Sequence, residues 1–124
     1  MAKRVLDVGQ CDLDHGNISN LLTRNFGAEV DRAHLAGDAI DLLKQKQYDL
    51  VLINRLLDRD HSEGKGLIEQ IKSNEQLKQT AVMLITNFPD HQELAVQAGA
   101  VLGFGKAELD KPETLEKLSA YLAS

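Results

Sequence analysis

Apolar residues in this chain alternate between two rhythms. Short unbroken runs of strand length are separated by segments in which Leu, Ile, Val and Ala return every three or four positions, the spacing of a helix face. The most continuous run is Leu50-Val51-Leu52-Ile53, entered from Tyr48-Asp49 and ended by Asn54. Ala81-Val82-Met83-Leu84-Ile85-Thr86 is a second. Val5-Leu6-Asp7-Val8 is a shorter one broken by Gly9, Ala28 to Ala33 is weak enough to suit a sheet edge, and Val101 to Gly105 is loosened by glycine.

Helical spacing fills the gaps between the runs. Ile18, Leu21, Leu22 and Phe26 mark a first helix closed by Gly27, after a turn-like Gln10 to Gly16 in which Asp12 or Asp14 would cap it. Ala39, Ile40 and Leu43 mark a second, reaching about Gln47, and Leu67, Ile68 and Ile71 a third, ending near Ser73-Asn74. Asn87 would cap a fourth that opens on Pro89, buries Leu94, Ala95 and Ala98, and ends at Gly99-Ala100. Asp110-Lys111-Pro112-Glu113 has capping-box spacing ahead of Leu115, Leu118 and Leu122. The polar stretch Arg55 to Gly64 reads as a loop. Five strand–helix units in succession demand an α/β fold, a five-stranded parallel sheet with helices on both faces.

The length of 124 residues leads one to expect a single domain, residues 1–124, with nothing after the fifth helix for an output domain unless the chain is one module of a longer protein. Scarce aromatics and no Trp mean a core of Leu, Ile, Val and Ala. A net charge of −5 with scattered basic residues argues against nucleic acid and anionic membranes as partners. One cysteine, Cys11, excludes an internal disulfide and a Cys-based zinc site. No apolar span is long enough to cross a membrane, and Met1-Ala2-Lys3-Arg4 leads straight into a strand, so the expected compartment is the cytosol.

In open parallel sheets the chemistry lies beyond the carboxyl ends of the strands. The residues expected there are Gly9, Gln10, Asn54, Thr86 and Lys106. Read with Tyr48-Asp49-Leu50-Val51-Leu52-Ile53, Val82-Met83-Leu84-Ile85-Thr86 and Ala98-Gly99-Ala100, they give the whole chain a pattern that resembles the receiver domain of bacterial two-component response regulators. The resemblance implies a flavodoxin-like fold with strand order 2-1-3-4-5. It also implies a carboxylate phosphoacceptor after strand 3, an acidic pair holding Mg²⁺ after strand 1, a Thr or Ser after strand 4 and a Lys after strand 5.

Thr86 and Lys106 match that pattern. The acidic pair falls on Gly9 and Gln10, the acceptor on Asn54, and the switch aromatic of strand 5 on Gly103. Ala107 stands where a Pro usually follows the Lys, and the loop before Gly64 is about two residues longer than the family norm. Acceptor, metal ligands and readout are lost together. The expectation is therefore a pseudo-receiver: no phosphorylation, no Mg²⁺ and no enzymatic activity. It would act in a phosphorelay-type pathway by binding another signalling protein (a kinase, regulator or output domain) or by self-association. By resemblance the helix 4–strand 5–helix 5 face would carry this, through Asp90, His91, Glu93, Gln97, Glu108 and Leu109. The alternative is a small-molecule regulatory domain using the crevice of Gly9, Gln10, Asn54, Thr86 and Lys106.

An inward Lys106 without phosphate needs a counter-charge, and Asp7, on the same strand face as Gly9, is the candidate partner. Asp12, Asp14 and His15 crowd one turn and Asp58, Asp60, His61 and Glu63 another. Both read as solvated loops, the second serving either partner recognition or as a mobile lid.

Overall fold

The computed structural model describes residues 2–123, so Met1 of the N-terminal segment lies outside it. The elements are β1 Arg4–Val8, α1 Asp12–Phe26, β2 Glu29–Ala33, α2 Ala36–Gln45, β3 Leu50–Asn54, α3 Gly64–Ser73, β4 Val82–Ile85, α4 Pro89–Gln97, β5 Val101–Phe104 and α5 Pro112–Leu122. A single 3-10 turn, Lys106–Glu108, joins β5 to α5. The strands form one parallel sheet in the order β2-β1-β3-β4-β5, with the weak β2 at an edge as expected.

Because β3 and β4 are central and covered on both sides, β4 is apolar throughout and β3 up to its last residue, Asn54. Alternation along the strands sends Leu6, Val8, Val51, Ile53, Val82 and Leu84 toward α2, α3 and α4. Val5, Leu50, Leu52, Met83, Ile85 and Phe104 go toward α1 and α5, where Ile18, Leu22, Leu118 and Leu122 meet them. Asp7 follows Val5 onto the second face, the one polar side chain mid-strand in β1.

Helix ends depart from the sequence reading. α1 starts at Asp12 and runs straight through the segment read as a turn, with Cys11 before it and no side-chain cap. Its first turn is held from outside, by charge partners described below. Asn87 does not cap α4: Phe88 holds that place, and the Asn87 side-chain oxygen accepts the Ala107 N–H instead, at 3.1 Å. The Asp110 capping box is not formed either, since α5 begins after Lys111 with Pro112 in its first turn. In α4 the inward positions belong to Gln92 and Ala95, while Leu94 is exposed.

Candidate functional site at the carboxyl ends of the strands

The carboxyl end of β1 is shaped by a leucine. Gly9 has φ +77°, and a Cβ there would collide with Leu57 Cδ2 and lie 2.9 Å from Leu57 Cα. Leu57 comes from the segment read as a polar loop, yet it is fully buried and belongs to the core. The same segment is stitched to β1 through backbone: Asp58 N–H donates to Gly9 O at 3.0 Å. Both glycine and leucine follow from this close approach, which leaves no volume for a side chain at position 9.

Asn54 completes the seam. Its Nδ2 donates to Leu56 O at 2.7 Å and to Gly9 O at 3.2 Å. Two carbonyl oxygens facing one side-chain atom require a donor there, so an amide fits where a carboxylate would meet only acceptors. Gln10 turns inward and is buried to 1% exposure, and neither amide atom makes a hydrogen bond among the described residues.

Lys106 does not pair with Asp7. Its Nζ lies 2.6 Å from Asp14 Oδ2, in the first turn of α1, and Cys11 Sγ donates to the same oxygen at 3.3 Å. Partial burial works against ionisation of Asp14, but the Lys106 and Cys11 hydrogen bonds and the lysine charge outweigh it and hold the carboxyl below its usual range. Asp7, fully buried, pairs instead with Nδ1 of His15 at 2.7 Å, and its other oxygen has no partner. Burial pushes the Asp7 carboxyl up, against the opposing pull of His15 and Arg32. Arg32 on β2 donates to Asp12 Oδ1 at 2.8 Å and to Gln10 O at 3.0 Å. The first turn of α1 is thus fastened to three strand ends by Asp12–Arg32, Asp14–Lys106 and His15–Asp7, while Leu13 is 72% exposed.

Thr86 is buried, its Oγ1 accepting the Phe88 N–H at 3.2 Å. Thr86 and Lys106 line different hollows, the first with α4 and β5, the second with α1. Leu57 lies over Gly9 at the end of β1. Among the described residues no group of three or more His, Cys, Asp and Glu side chains is placed to hold a metal ion. In the second turn His34 Nδ1 sits 3.1 Å from Asp58 Oδ2, and Asp60 bonds Ser62.

A further group of residues escaped the sequence reading. Opposite Leu84, β5 carries two residues, Leu102 and Gly103, a bulge in the ladder. Gln92 reaches in from α4 and bridges the gap. Its Nε2 donates to Leu84 O at 2.8 Å, and its Oε1 accepts the Gly103 N–H at 3.0 Å. A side chain on Gly103 would collide with Leu84 O and press on the Gln92 amide. The signal was present: Gln92 stands three residues before Ala95, an inward helical position occupied by a polar residue.

No protein-family model and no curated protein sequence matches the chain. Solved structures do. The phosphorylated cyanobacterial phytochrome response regulator RcpA aligns at TM-score 0.80 and 17% identity over 99% of this chain and 96% of its own. The signal receiver domain of a DNA-binding response regulator (merR) from Colwellia psychrerythraea aligns at 0.79 and 22% over 95% and 98%. Chemotaxis protein CheY4 of Vibrio cholerae aligns at 0.76 and 19% over 98% and 99%. The fold is that of a response-regulator receiver domain. At these identities the likeness is one of architecture, and the strand order 2-1-3-4-5 agrees with it.

In this receiver fold the face made by α4, β5 and the start of α5 holds a groove of about 400 Å³. Pro89, Val96, Leu102 and Phe104 line it, with Glu93, Glu108 and Lys117. Asp90 and Gln97 are exposed on α4, and His91 is half-buried against the Phe88 ring. Leu109 faces the other way, into the hollow beside α1 with Asn17, Asn20 and Arg24. No helix of the described residues is long and apolar enough to cross a membrane.

Proposed function

We propose that this chain is a signalling module of receiver fold that binds a partner protein without being phosphorylated, and that it is not an enzyme. One observation carries the reading: the position of the phosphoacceptor in the fold is an amide that donates to two carbonyls, beneath a loop whose leucine fills the space over Gly9. An amide cannot form an acyl phosphate. Mg²⁺ takes hard oxygen ligands, usually carboxylates with several waters. Here Gly9 and Gln10 offer no charge, Asp14 is engaged by Lys106, and Asp7 is buried against His15, so the donor set does not fit the ion.

The partner surface in this reading is the α4–β5–α5 face. A ligand shifts an equilibrium only by its differential affinity for the two states, and a chain without the phosphoryl contact has no such lever. Gln92 then supports a face held in one arrangement by hydrogen bonds within the fold. The test is to incubate the full chain with acetyl phosphate and Mg²⁺ and to look by intact mass for an acid-labile adduct, with Mg²⁺ titrated calorimetrically in parallel. Neither adduct nor binding heat is expected. An adduct, or a stoichiometric Mg²⁺ site, would overturn the proposal.

A further inference from the structure

The groove on the α4–β5–α5 face has an apolar floor and a one-sided rim. Val96 and Leu102 stay about half exposed, at 45% and 53%, beside Pro89 and Phe104. Gly103 lines the groove with backbone alone, and Gln92 ties α4 to the bulged strand beside it. Glu93 and Glu108 line the opening, and Asp90 stands one helical turn before Glu93. α4 contains no Lys or Arg. Across the groove Lys117 is the cation, its Nζ donating to Gly103 O at 3.1 Å, with Glu113 one turn before it on the same helix. Two carboxylates thus line the groove with one committed ammonium, and two more stand a helical turn away from Glu93 and Lys117.

From this we infer that the groove seats one or two apolar side chains of a partner segment whose flanking residues are Lys or Arg. The inference rests on the α4–β5–α5 face being the partner surface, and adds the partner's chemistry. Apolar side chains would cover Val96, Leu102 and Phe104, while flanking cations would meet Asp90, Glu93 and Glu108. Electrostatic complementarity of that kind selects partners and sets orientation more than it adds raw affinity. A second copy of this chain is disfavoured, because a two-fold contact would set one acidic rim against another. Anionic lipid and nucleic acid are repelled for the same reason.

The experiment is a random-peptide display selection on the immobilised full chain, with the enriched peptides resynthesised and measured by fluorescence anisotropy. Enriched sequences should place Leu, Ile, Phe or Met between basic residues, and their amide shift perturbations should centre on Val96, Leu102 and Gly103. Leu102→Asp should abolish binding. Asp90→Lys with Glu93→Lys should weaken it by about tenfold or more, and added salt should weaken it further. All three positions are exposed, and unchanged thermal melting of the variants verifies that the fold is intact. Peptides that map to the groove but carry neutral or acidic flanks, and bind the charge-reversed variant equally well, overturn the inference and leave the partner face standing. Peptides mapping to another surface, or no enrichment, overturn both.

Discussion

Asn54→Asp restores the carboxylate that the receiver fold uses as phosphoacceptor, with the change of one side-chain group. In this protein it should damage the fold and restore nothing. The donor that now serves Leu56 O at 2.7 Å and Gly9 O at 3.2 Å becomes an acceptor facing both. Gly9 O keeps its bond from Asp58 N–H, but Leu56 O loses the one described here. Two lost hydrogen bonds at about 1 kcal/mol each, plus repulsion between a half-buried carboxylate and two carbonyls, give a loss of about 2–4 kcal/mol near neutral pH. For a domain of this size that lowers the melting temperature by roughly 8–15 °C. The sign with pH follows from the same contacts. A protonated carboxyl can donate to Leu56 O and an ionised one cannot, so the fold favours the protonated form. The deficit should therefore shrink toward about pH 4, where the carboxyl regains its proton, and grow as pH rises. Urea denaturation of parent and variant at both pH values measures it, and the phosphodonor assay run on the variant should still give no adduct. A variant as stable as the parent near neutral pH, or one that becomes phosphorylated, would refute the account of the seam.

Gly9→Asp should cost about 1–3 kcal/mol through its clash with Leu57, and combining it with Leu57→Ala should recover part of that; strictly additive effects in the double-mutant cycle would contradict a Leu57 clash. Gln92→Glu sets an oxygen against Leu84 O and should cost about 2–4 kcal/mol, read by denaturant melts, with faster amide exchange in β5. Asp7→Asn removes a carboxyl that burial pushes above the usual carboxylate range, so the parent loses stability as pH rises out of that range while the variant does not. The variant's stability relative to the parent should thus improve between mildly acidic and neutral pH. A flat difference would mean that Asp7 is not disfavoured as an anion.

The sheet was legible because β3 and β4 are buried on both faces, and burial writes itself as an unbroken apolar run. The first turn of α1 was not, because Asp12, Asp14, His15 and Gly16 are residues of turns when judged locally. They are helical here because Arg32 and Lys106, far off in sequence, take the charges of Asp12 and Asp14, and Asp7 of β1 bonds His15. The partner of Lys106 was missed for a related reason. Strand alternation put Asp7 on the right face, but α1 lies over that face and brings His15 to Asp7 and Asp14 to the lysine. The departures at Gly9, Gln10, Asn54 and Gly103 were readable one by one. That Leu57 and Gln92 occupy the space they leave was not, since one hides in a charged segment and the other looks like a surface amide. Asn87 and Asp110 were assigned caps by type, and a tertiary acceptor role and a later helix start displaced them.

The bulge at Leu102-Gly103 also bears on which mutational paths are open. An aromatic introduced at Gly103 would run into main chain at Leu84 before it ever reached the surface, and the carboxamide wedged beside it would have to leave at the same step. Placing an aromatic there therefore needs the strand re-registered and α4 re-anchored together, with either change made alone less stable than its starting point. Exposed neighbours such as Leu102 and Val96 carry no such constraint and can vary one at a time.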